Sequence, residues 1–240
     1  MMNTTPTKEK KPTKVVYPMR ERRYLFWLLV ATGGFFGAYT YAVRGGIFCN
    51  AQTANIVLLS MALARFEWET VGRLLIPITA YFVGILLSEA LGRLKKTPSR
   101  ISFSTILVGF EAIAVIILAL LPESIPHFWA QISLSFITSM QFNTFRLNEG
   151  IPMATTFVTA HVRETGSNFV HAAIEKDKKA RHRFLMHGAM IAFFILGAVI
   201  STLLSALFGT RALFGALPLL ITAFTLLLIG DLSKPAHPNT

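Results

Sequence analysis

The stretch YTYAVRGGIFCNAQTAN (residues 39–55) decides the fold, because its pattern returns in QFNTFRLNEGIPMATTFVT (residues 141–159). In each copy an apolar segment ends in an arginine, and an Ala-(Gln/Thr)-Thr run follows. A further match joins AYFVG at 80–84 to FFILG at 193–197. Chance similarity between apolar helices is the alternative explanation. A true duplication favours a transporter or channel, since internal repeats are the usual construction of these membrane proteins.

Composition predicts an all-α membrane protein. Hydrophobic residues make up 53% of the chain, and the mean hydropathy is +0.54. A helix crosses a hydrocarbon core of about 30 Å with roughly 20 apolar residues. The segments that meet this requirement are 24–43, 71–92, 101–121, 126–145, 184–208 and 211–230. Two further apolar stretches, 47–66 and 149–162, are interrupted by polar residues.

The basic charge is explained by orientation in a membrane. The formal net charge is +11, but 17 of the 23 Lys and Arg residues fall within 1–23, 93–100 and 163–183. The positive-inside rule places these three segments in the cytoplasm. The links near 122–127 and 209–211 then lie outside, and both termini are cytoplasmic. The expected partner is a lipid bilayer, and no nucleic acid is needed.

Counting crossings makes the two polar stretches re-entrant. The first span ends outside near Arg44 and the chain is cytoplasmic again at Arg93, so only one of the two apolar stretches between them crosses the membrane. The polar stretch 47–66 is the better candidate for a re-entrant or broken helix, and the same count selects 149–162. The prediction is a polytopic helix bundle with six spans in an inverted 3+3 repeat. Its parts are a disordered basic cytoplasmic tail at 1–23, a first repeat at 24–121 and a second repeat at 126–232.

The region from Gly33 to Leu63 resembles a known family. The matching residues are Gly33, Gly34, Phe35, Ala38, Tyr39, Tyr41, Arg44, Gly45, Gly46, Phe48, Asn50, Ala51, Gln52, Thr53 and Asn55. This pattern is similar to that of the YoaK-like family of bacterial inner-membrane proteins, which is classed as a domain of unknown function. The resemblance implies a multi-pass protein of the bacterial cytoplasmic membrane and supplies no reaction or substrate. Family members often carry Asp where this chain has Gly37, so a role for an acidic residue in the first span does not carry over.

Polar side chains crowd the two stretches that are expected to be re-entrant. In the first stretch they are Asn50, Gln52, Thr53 and Asn55, and in the second they are Thr155, Thr156 and His161. Unpaired amides are costly in hydrocarbon, so these groups either bond the broken backbone or line a wet cavity. Both interpretations stay open: a substrate-binding surface near the membrane midplane, or a structural cluster of polar side chains that holds helices together. His161 is also a candidate for ion coupling.

Arg44 and Arg146 each end the first span of a repeat. A cation there caps the negative end of its helix dipole or reaches the headgroups, and for one arginine alone this is the simpler interpretation. Repetition in both halves supports a second one. Two arginines, together with the N-termini of two re-entrant helices, create a positive electrostatic potential that attracts an anion. The hypothesis is an anion-preferring substrate site.

Two carboxylates are candidates for ion coupling or ion pairing. Glu111 lies deep in an apolar span, and an ionisable group inside a membrane is a functional candidate by default. It either carries a coupling proton or pairs with an arginine such as Arg44 or Arg146. Glu149 marks the turn into the second polar stretch, where it is expected to neutralise Arg146.

Three classes of function remain. The leading hypothesis is a small-solute transporter or facilitator with a midplane site at the repeat interface. The others are a membrane-embedded enzyme acting on lipid-linked substrates and a non-transporting membrane scaffold. No catalytic residues and no cofactor are predicted, and the single Cys49 excludes a Cys-rich metal site. The chain is short for a stand-alone alternating-access transporter, which favours a homodimer.

Overall fold

The protein is all-α in residues 16–94 and 100–233, which a computed structural model describes. The helices in this part of the chain are α1 (Arg23–Val43), α2 (Gln52–Ala64), α3 (Trp68–Leu94), α4 (Phe103–Leu120), α5 (His127–Thr144), α6 (Thr159–Ile174), α7 (Lys178–Phe208) and α8 (Leu217–Leu232). A 3₁₀ segment, Gly209–Ala216, joins α7 to α8. Two short strands, β1 (Leu147–Asn148) and β2 (Ile151–Pro152), pair antiparallel between α5 and α6.

The end of the expected basic tail is folded. Met19–Glu21 forms a 3₁₀ turn, and the Glu21 carbonyl accepts a hydrogen bond from the Glu149 amide at 2.8 Å. Ordered structure therefore begins before residue 24. The rest of the predicted disordered tail, residues 1–15, lies outside the described residues.

Four segments of the described chain are long and apolar enough to cross a membrane. They are α1, α3, α4 and the run Lys178–Leu232, which contains both α7 and α8. The remaining predicted span, 126–145, forms α5 but does not reach the hydropathy of the others, because glutamine, serine and threonine occupy much of its buried face. The apolar helices indicate a membrane-embedded protein.

Helix α1 lies at the centre of the molecule. Its residues from Leu29 to Gly37 are buried on every side of the helix. It packs against α7, α8 and the Gly209–Ala216 segment. Helices α3, α4, α7 and α8 in contrast expose many large apolar side chains on their outer faces. Because a helix that is buried on every side is an interior helix, α1 forms the core, and the outer helices present apolar surfaces of the kind that suits lipid.

Glycines let two helix pairs approach at backbone distance. In the α1–α7 pair, a Cβ on Gly197 would overlap the carbonyl of Ala31. In the α3–α5 pair, a Cβ on Gly84 would lie 2.5 Å from the carbonyl oxygen of Phe136. Small residues permit such contacts between membrane helices. The two glycines end the matching AYFVG and FFILG segments, so the sequence match marks equivalent packing positions.

Candidate functional site

The first polar stretch turns back along α1 instead of leaving the bundle. Gly45 and Gly46 have φ angles of +85° and +74°, a left-handed conformation that glycine adopts without strain. The chain then runs beside α1 until Asn50 Nδ2 donates to the carbonyl of Gly33, halfway along that helix, at 2.8 Å. Helix α2 returns to the starting end, where Arg65 and Gly45 line one cavity. The stretch therefore enters and leaves at the same end of the bundle.

The second polar stretch starts at the opposite end. Glu149, in the turn between β1 and β2, forms two hydrogen bonds of 3.0 Å with the guanidinium of Arg23 in the first turn of α1. The chain then reaches the middle of α1, where a Cβ on Gly33 would lie 2.9 Å from the Cα of Thr156. Helix α6 begins directly afterwards. Both polar stretches thus arrive at Gly33, one from each end of α1.

One side chain joins the two stretches. Asn50 Nδ2 donates to the carbonyl of Thr156 at 2.6 Å as well as to that of Gly33. A cavity of about 320 Å³ lies beside this junction, between α1 and α7. Ala51 and Val158, the residues that precede α2 and α6, both line it. The positive ends of two helix dipoles therefore meet at one cavity.

The other amides of the first stretch bond its own backbone. Asn55 donates to the Phe48 carbonyl at 2.6 Å and accepts from the Phe48 amide at 3.2 Å. Gln52 donates to the Cys49 carbonyl at 3.0 Å and accepts from Asn55 at 3.1 Å. Thr53 is exposed on the surface of α2. Asn55 and Gln52 thus hold the chain reversal in place, and Asn50 is the amide that reaches the junction.

Two threonines and a tyrosine complete the junction. Thr155 and Thr156 are fully buried, and the hydroxyl of Thr155 has no hydrogen-bond partner among the described residues. Tyr81 of α3 is close to both Thr156 and Cys49. Thr138 of α5 donates to the Cys49 carbonyl at 3.3 Å. Sequence reasoning missed Tyr81 and Thr138, and the one available signal was the place of Tyr81 in the repeated AYFVG segment.

Asn50→Ala should loosen the link between the two stretches. The carbonyls of Gly33 and Thr156 would each lose a buried donor, and a buried polar group without a partner costs about 1–3 kcal/mol. We expect a lower Tm for the detergent-solubilised protein. Thr53→Ala removes an exposed side chain from the same region and serves as the control. Equal Tm values for the two variants would contradict the role of Asn50 as the link.

Arg44 is a buried cation without an acidic partner in the described chain. Its side chain is among the largest that are fully buried, and its Nη2 has no hydrogen-bond partner there. Its Nε donates to the hydroxyl of Tyr39 at 2.9 Å, and that hydroxyl donates to the Thr210 carbonyl at 2.9 Å. Gln131 of α5 donates to the backbone carbonyl of Arg44. The guanidinium is therefore held in place but keeps a free donor.

Arg146, the sequence counterpart of Arg44, is neutralised. It is exposed, and its Nη2 lies 2.6 Å from Glu89, which also pairs with Arg93 at 3.0 Å. The expected pairing with Glu149 is wrong, because the β1–β2 turn directs Glu149 to Arg23 instead. Arg146 and Glu89 line an open cavity of about 540 Å³ at this end of the bundle. The two matched arginines thus have different electrostatic surroundings.

Glu111 is a buried acid without a partner in the described chain. It is 0% exposed, and neither carboxyl oxygen has a hydrogen-bond partner there. The alternative in which it pairs with Arg44 or Arg146 is not realised. Arg146 is held at the end of the bundle by Glu89, and Arg44 is held by Tyr39.

His161 and His187 form a buried pair that connects α6 to α7. Their Nδ1 atoms are 2.8 Å apart, and His161 Nε2 lies 2.9 Å from the carbonyl of Ala154. A carbonyl only accepts, so His161 carries its proton on Nε2, and in the neutral pair His187 Nδ1 donates to His161 Nδ1.

Acidification should destabilise the protein through His161. A further proton on the His161–His187 pair would leave the two Nδ1 atoms as donors that face each other, whereas an unfolded histidine binds a proton freely as pH falls below about 6.5. The stability that the neutral His161–His187 pair provides is therefore lost as pH falls. Melting curves from pH 8 to pH 5 should show this slope, and His161→Gln should reduce it. His171→Gln, which removes an exposed imidazole, should leave the slope unchanged.

The histidines of residues 16–94 and 100–233 do not converge into a metal centre. No group of three or more His, Cys, Asp or Glu side chains there is placed to hold a metal ion. His171 pairs with Glu175 on an exposed surface, and His182 is exposed as well. The enzyme hypothesis required histidines and acids to meet at one bilayer face, and among these histidines only His161 and His187 meet.

Comparison with known proteins places the chain in a family. Residues 25–227 match the family described as "Protein of unknown function (DUF1275)". No curated protein and no solved structure matches the chain significantly. The matching region runs from the first turn of α1 into α8 and contains both polar stretches and the junction between them. Since the match covers most of its length, the chain belongs to the DUF1275 family.

Proposed function

We propose that the protein is a small-solute transporter or facilitator that prefers anions. The solute passes between two halves related as an inverted repeat, near the midplane where two re-entrant stretches meet. The protein is a multi-pass, YoaK-like protein of the bacterial cytoplasmic membrane, with both termini in the cytoplasm. The observation that carries the proposal is the Asn50 amide, which bonds Gly33 in the middle of α1 and Thr156 of the second stretch.

The helix contacts support the repeat, because they are unchanged when the two halves are exchanged. Helix α1 packs on α7, and its counterpart α5 packs on α3. Helix α2 packs on α3, and its counterpart α6 packs on α7. Helices α4 and α8 are counterparts and pack on each other. A duplicated unit related by a pseudo-two-fold axis produces this scheme.

The entry points of the two stretches support the inversion. The first stretch begins and ends where Gly45 and Arg65 share a cavity. The second begins where Glu149 contacts Arg23, at the start of α1. The basic residues favour the cytoplasm for that second end. Irregular backbone at membrane depth is tolerated where protein encloses it, as it does at Gly33.

Two electrostatic features support an anion, one at the end of α1 and one at the junction. Arg44 is buried without an acidic partner in the described chain, and its Nη2 is free to donate there. The N-termini of α2 and α6 open onto the cavity at the junction. Helix N-termini and an unpaired guanidinium attract negative charge, the more so where water is scarce. Transporters place discontinuous helices at the site of an anionic substrate group.

Single-cysteine labelling tests the topology. On a Cys49→Ala background, cysteine replaces Ala42, Arg65, Arg146 or Glu175, which are all exposed. An impermeant maleimide is then added from each side of the membrane. Positions 42 and 65 should label only from outside, and positions 146 and 175 only from inside. Labelling of 42 and 65 from opposite sides would remove the first re-entrant stretch and the inverted repeat.

Anion flux tests the function. The purified protein is reconstituted into liposomes, and the movement of chloride, nitrate, sulfate and phosphate is compared with that in protein-free liposomes. We expect faster movement of at least one of these anions, with no effect on potassium. Flux of every anion at the protein-free rate would overturn the proposal.

A non-transporting scaffold is the second candidate. Asn55 and Gln52 direct their amide groups to the backbone of the first stretch, which is the arrangement expected if the polar side chains have only a structural role. In this case Gln52→Ala would change folding or partner binding and leave every flux at the protein-free rate.

We also propose a homodimer, because a chain of 240 residues is short for an alternating-access transporter. Light scattering of the purified protein in detergent tests this assembly.

A further inference from the structure

We propose that Glu111 is a proton-binding site between the two halves, and that proton binding there is the coupling step of the transporter. This inference rests on the proposed function and names its coupling ion. The carboxyl group is 0% exposed, and both of its oxygens lack a hydrogen-bond partner in the described chain. A carboxylate in such a place is a charge without a donor or counter-ion, whereas the carboxylic acid is neutral. The site therefore favours the proton-loaded form.

The surroundings of Glu111 are apolar. It shares the buried face of α4 with Leu107, Val108, Val115 and Leu118. Helix α4 packs against α8, the Gly209–Ala216 segment and α5. The titratable or charged groups on these elements are Asp231, Arg211 and His127, and none of them bonds the Glu111 carboxyl. Asp231 accepts from the Ser102 amide and the Thr105 hydroxyl, at the N-terminal end of α4.

The position of Glu111 links the proton to the motion of the halves. Gly109, half a turn earlier, lies under the Phe224 ring of α8, from which a Cβ would be 3.0 Å away. The α4–α8 contact thus occurs at the depth of Glu111, and it is one of the contacts between the two halves. Coupling-ion sites of repeat-built transporters lie at this kind of interface near the midplane. Loss of the proton would place a charge on the apolar buried face of α4, and this would favour the entry of water between the halves.

Carbodiimide labelling tests the proton on Glu111 without any transport. Dicyclohexylcarbodiimide takes up the proton and the carboxyl oxygen of a buried carboxylic acid, and the adduct rearranges to a stable N-acylurea with no leaving group. We expect the intact chain to gain the mass of one carbodiimide, and peptide mapping to place it on Glu111. Glu111→Gln should lose the adduct, and Glu69→Gln, which alters an exposed carboxylate, should keep it. An unmodified Glu111 in the wild-type protein would overturn the proposal.

Proton flux tests the coupling. Liposomes with wild-type protein and an internal pH dye receive an inward gradient of chloride, nitrate, sulfate or phosphate. We expect the dye to report acidification with the transported anion, and Glu111→Gln to lose that signal while Glu69→Gln retains it. A full pH signal in Glu111→Gln, or anion movement without a pH change in the wild type, would overturn the coupling and leave the transporter standing. Movement of no anion in the wild type would overturn both proposals.

Discussion

Gly197→Leu is expected to disrupt the packing of α1 against α7. A side chain at this position would overlap the Ala31 backbone, which cannot rotate away as a side chain does. Overpacking a core costs about 1–3 kcal/mol, and a backbone obstacle places this variant at the upper end. For a chain of this size we expect Tm to fall by roughly 6–12 °C. Size-exclusion chromatography after stepwise heating in detergent measures the effect.

Gly84→Leu should give a similar loss, because Gly84 meets the Phe136 backbone in the matching α3–α5 pair. The controls are Gly188→Leu on α7 and Gly92→Leu on α3, where an added Cβ would meet nothing within 4 Å. Leucine has the higher helix propensity, so the controls should keep or raise Tm. A large loss for Gly197→Leu with none for Gly84→Leu would contradict equivalent packing in the two halves.

Arg44→Met should reduce anion flux by roughly tenfold or more, which corresponds to a loss of about 1.4 kcal/mol of interaction with the anion. It should do so without lowering Tm. The guanidinium is buried without an acidic partner in the described chain, so its replacement by an apolar side chain of similar size removes a desolvated charge and leaves no opposite charge uncompensated. The hydroxyl of Tyr39 still donates to Thr210 when the guanidinium is gone, so no buried donor is left unpaired.

Arg146→Met is the matched control for Arg44→Met. Arg146 ends the same span of the other repeat, but it is exposed and already paired with Glu89. Its replacement should leave anion flux within about twofold, since an exposed ion pair contributes little. If Arg44 only capped the dipole of α1, the outcome would be reversed: Arg44→Met would lower Tm and leave the flux unchanged.

The all-α architecture could be predicted from the sequence because the apolar runs are long and the breaks between them are sharp. The expected span 24–43 corresponds to α1 at Arg23–Val43, and 101–121 corresponds to α4 at Phe103–Leu120. Helix α5 differs from the other predicted spans because its buried face is polar. Hydropathy reports the average along a helix, whereas burial depends on the neighbours that one face meets.

The partners of the charged residues could not be predicted. Arg44 and Arg146 have equivalent places in the two sequence repeats, yet among the described residues only Arg146 meets an acid. Five positions after the contact glycine, α3 carries Glu89 where α7 carries Thr202. The equivalence of these two positions depends on the glycine contacts, which place the two helices in the same register and which the sequence does not contain. The junction at Asn50 was likewise invisible, because a side chain and a distant backbone carbonyl leave no pattern in sequence.

The central place of α1 has a consequence for biosynthesis. This helix is made first, but its neighbours α7 and α8 come last, as the stacking of Trp27 on Phe193 illustrates. At about 5–20 residues per second, the ribosome delivers those neighbours roughly ten seconds or more later. During that interval the hydroxyls of Thr32 and Thr40 can bond carbonyls of their own helix, as they do in the finished protein. The nascent α1 can thus remain in the bilayer with its hydroxyls hydrogen-bonded. Its burial is completed only when α7 and α8 have been synthesised.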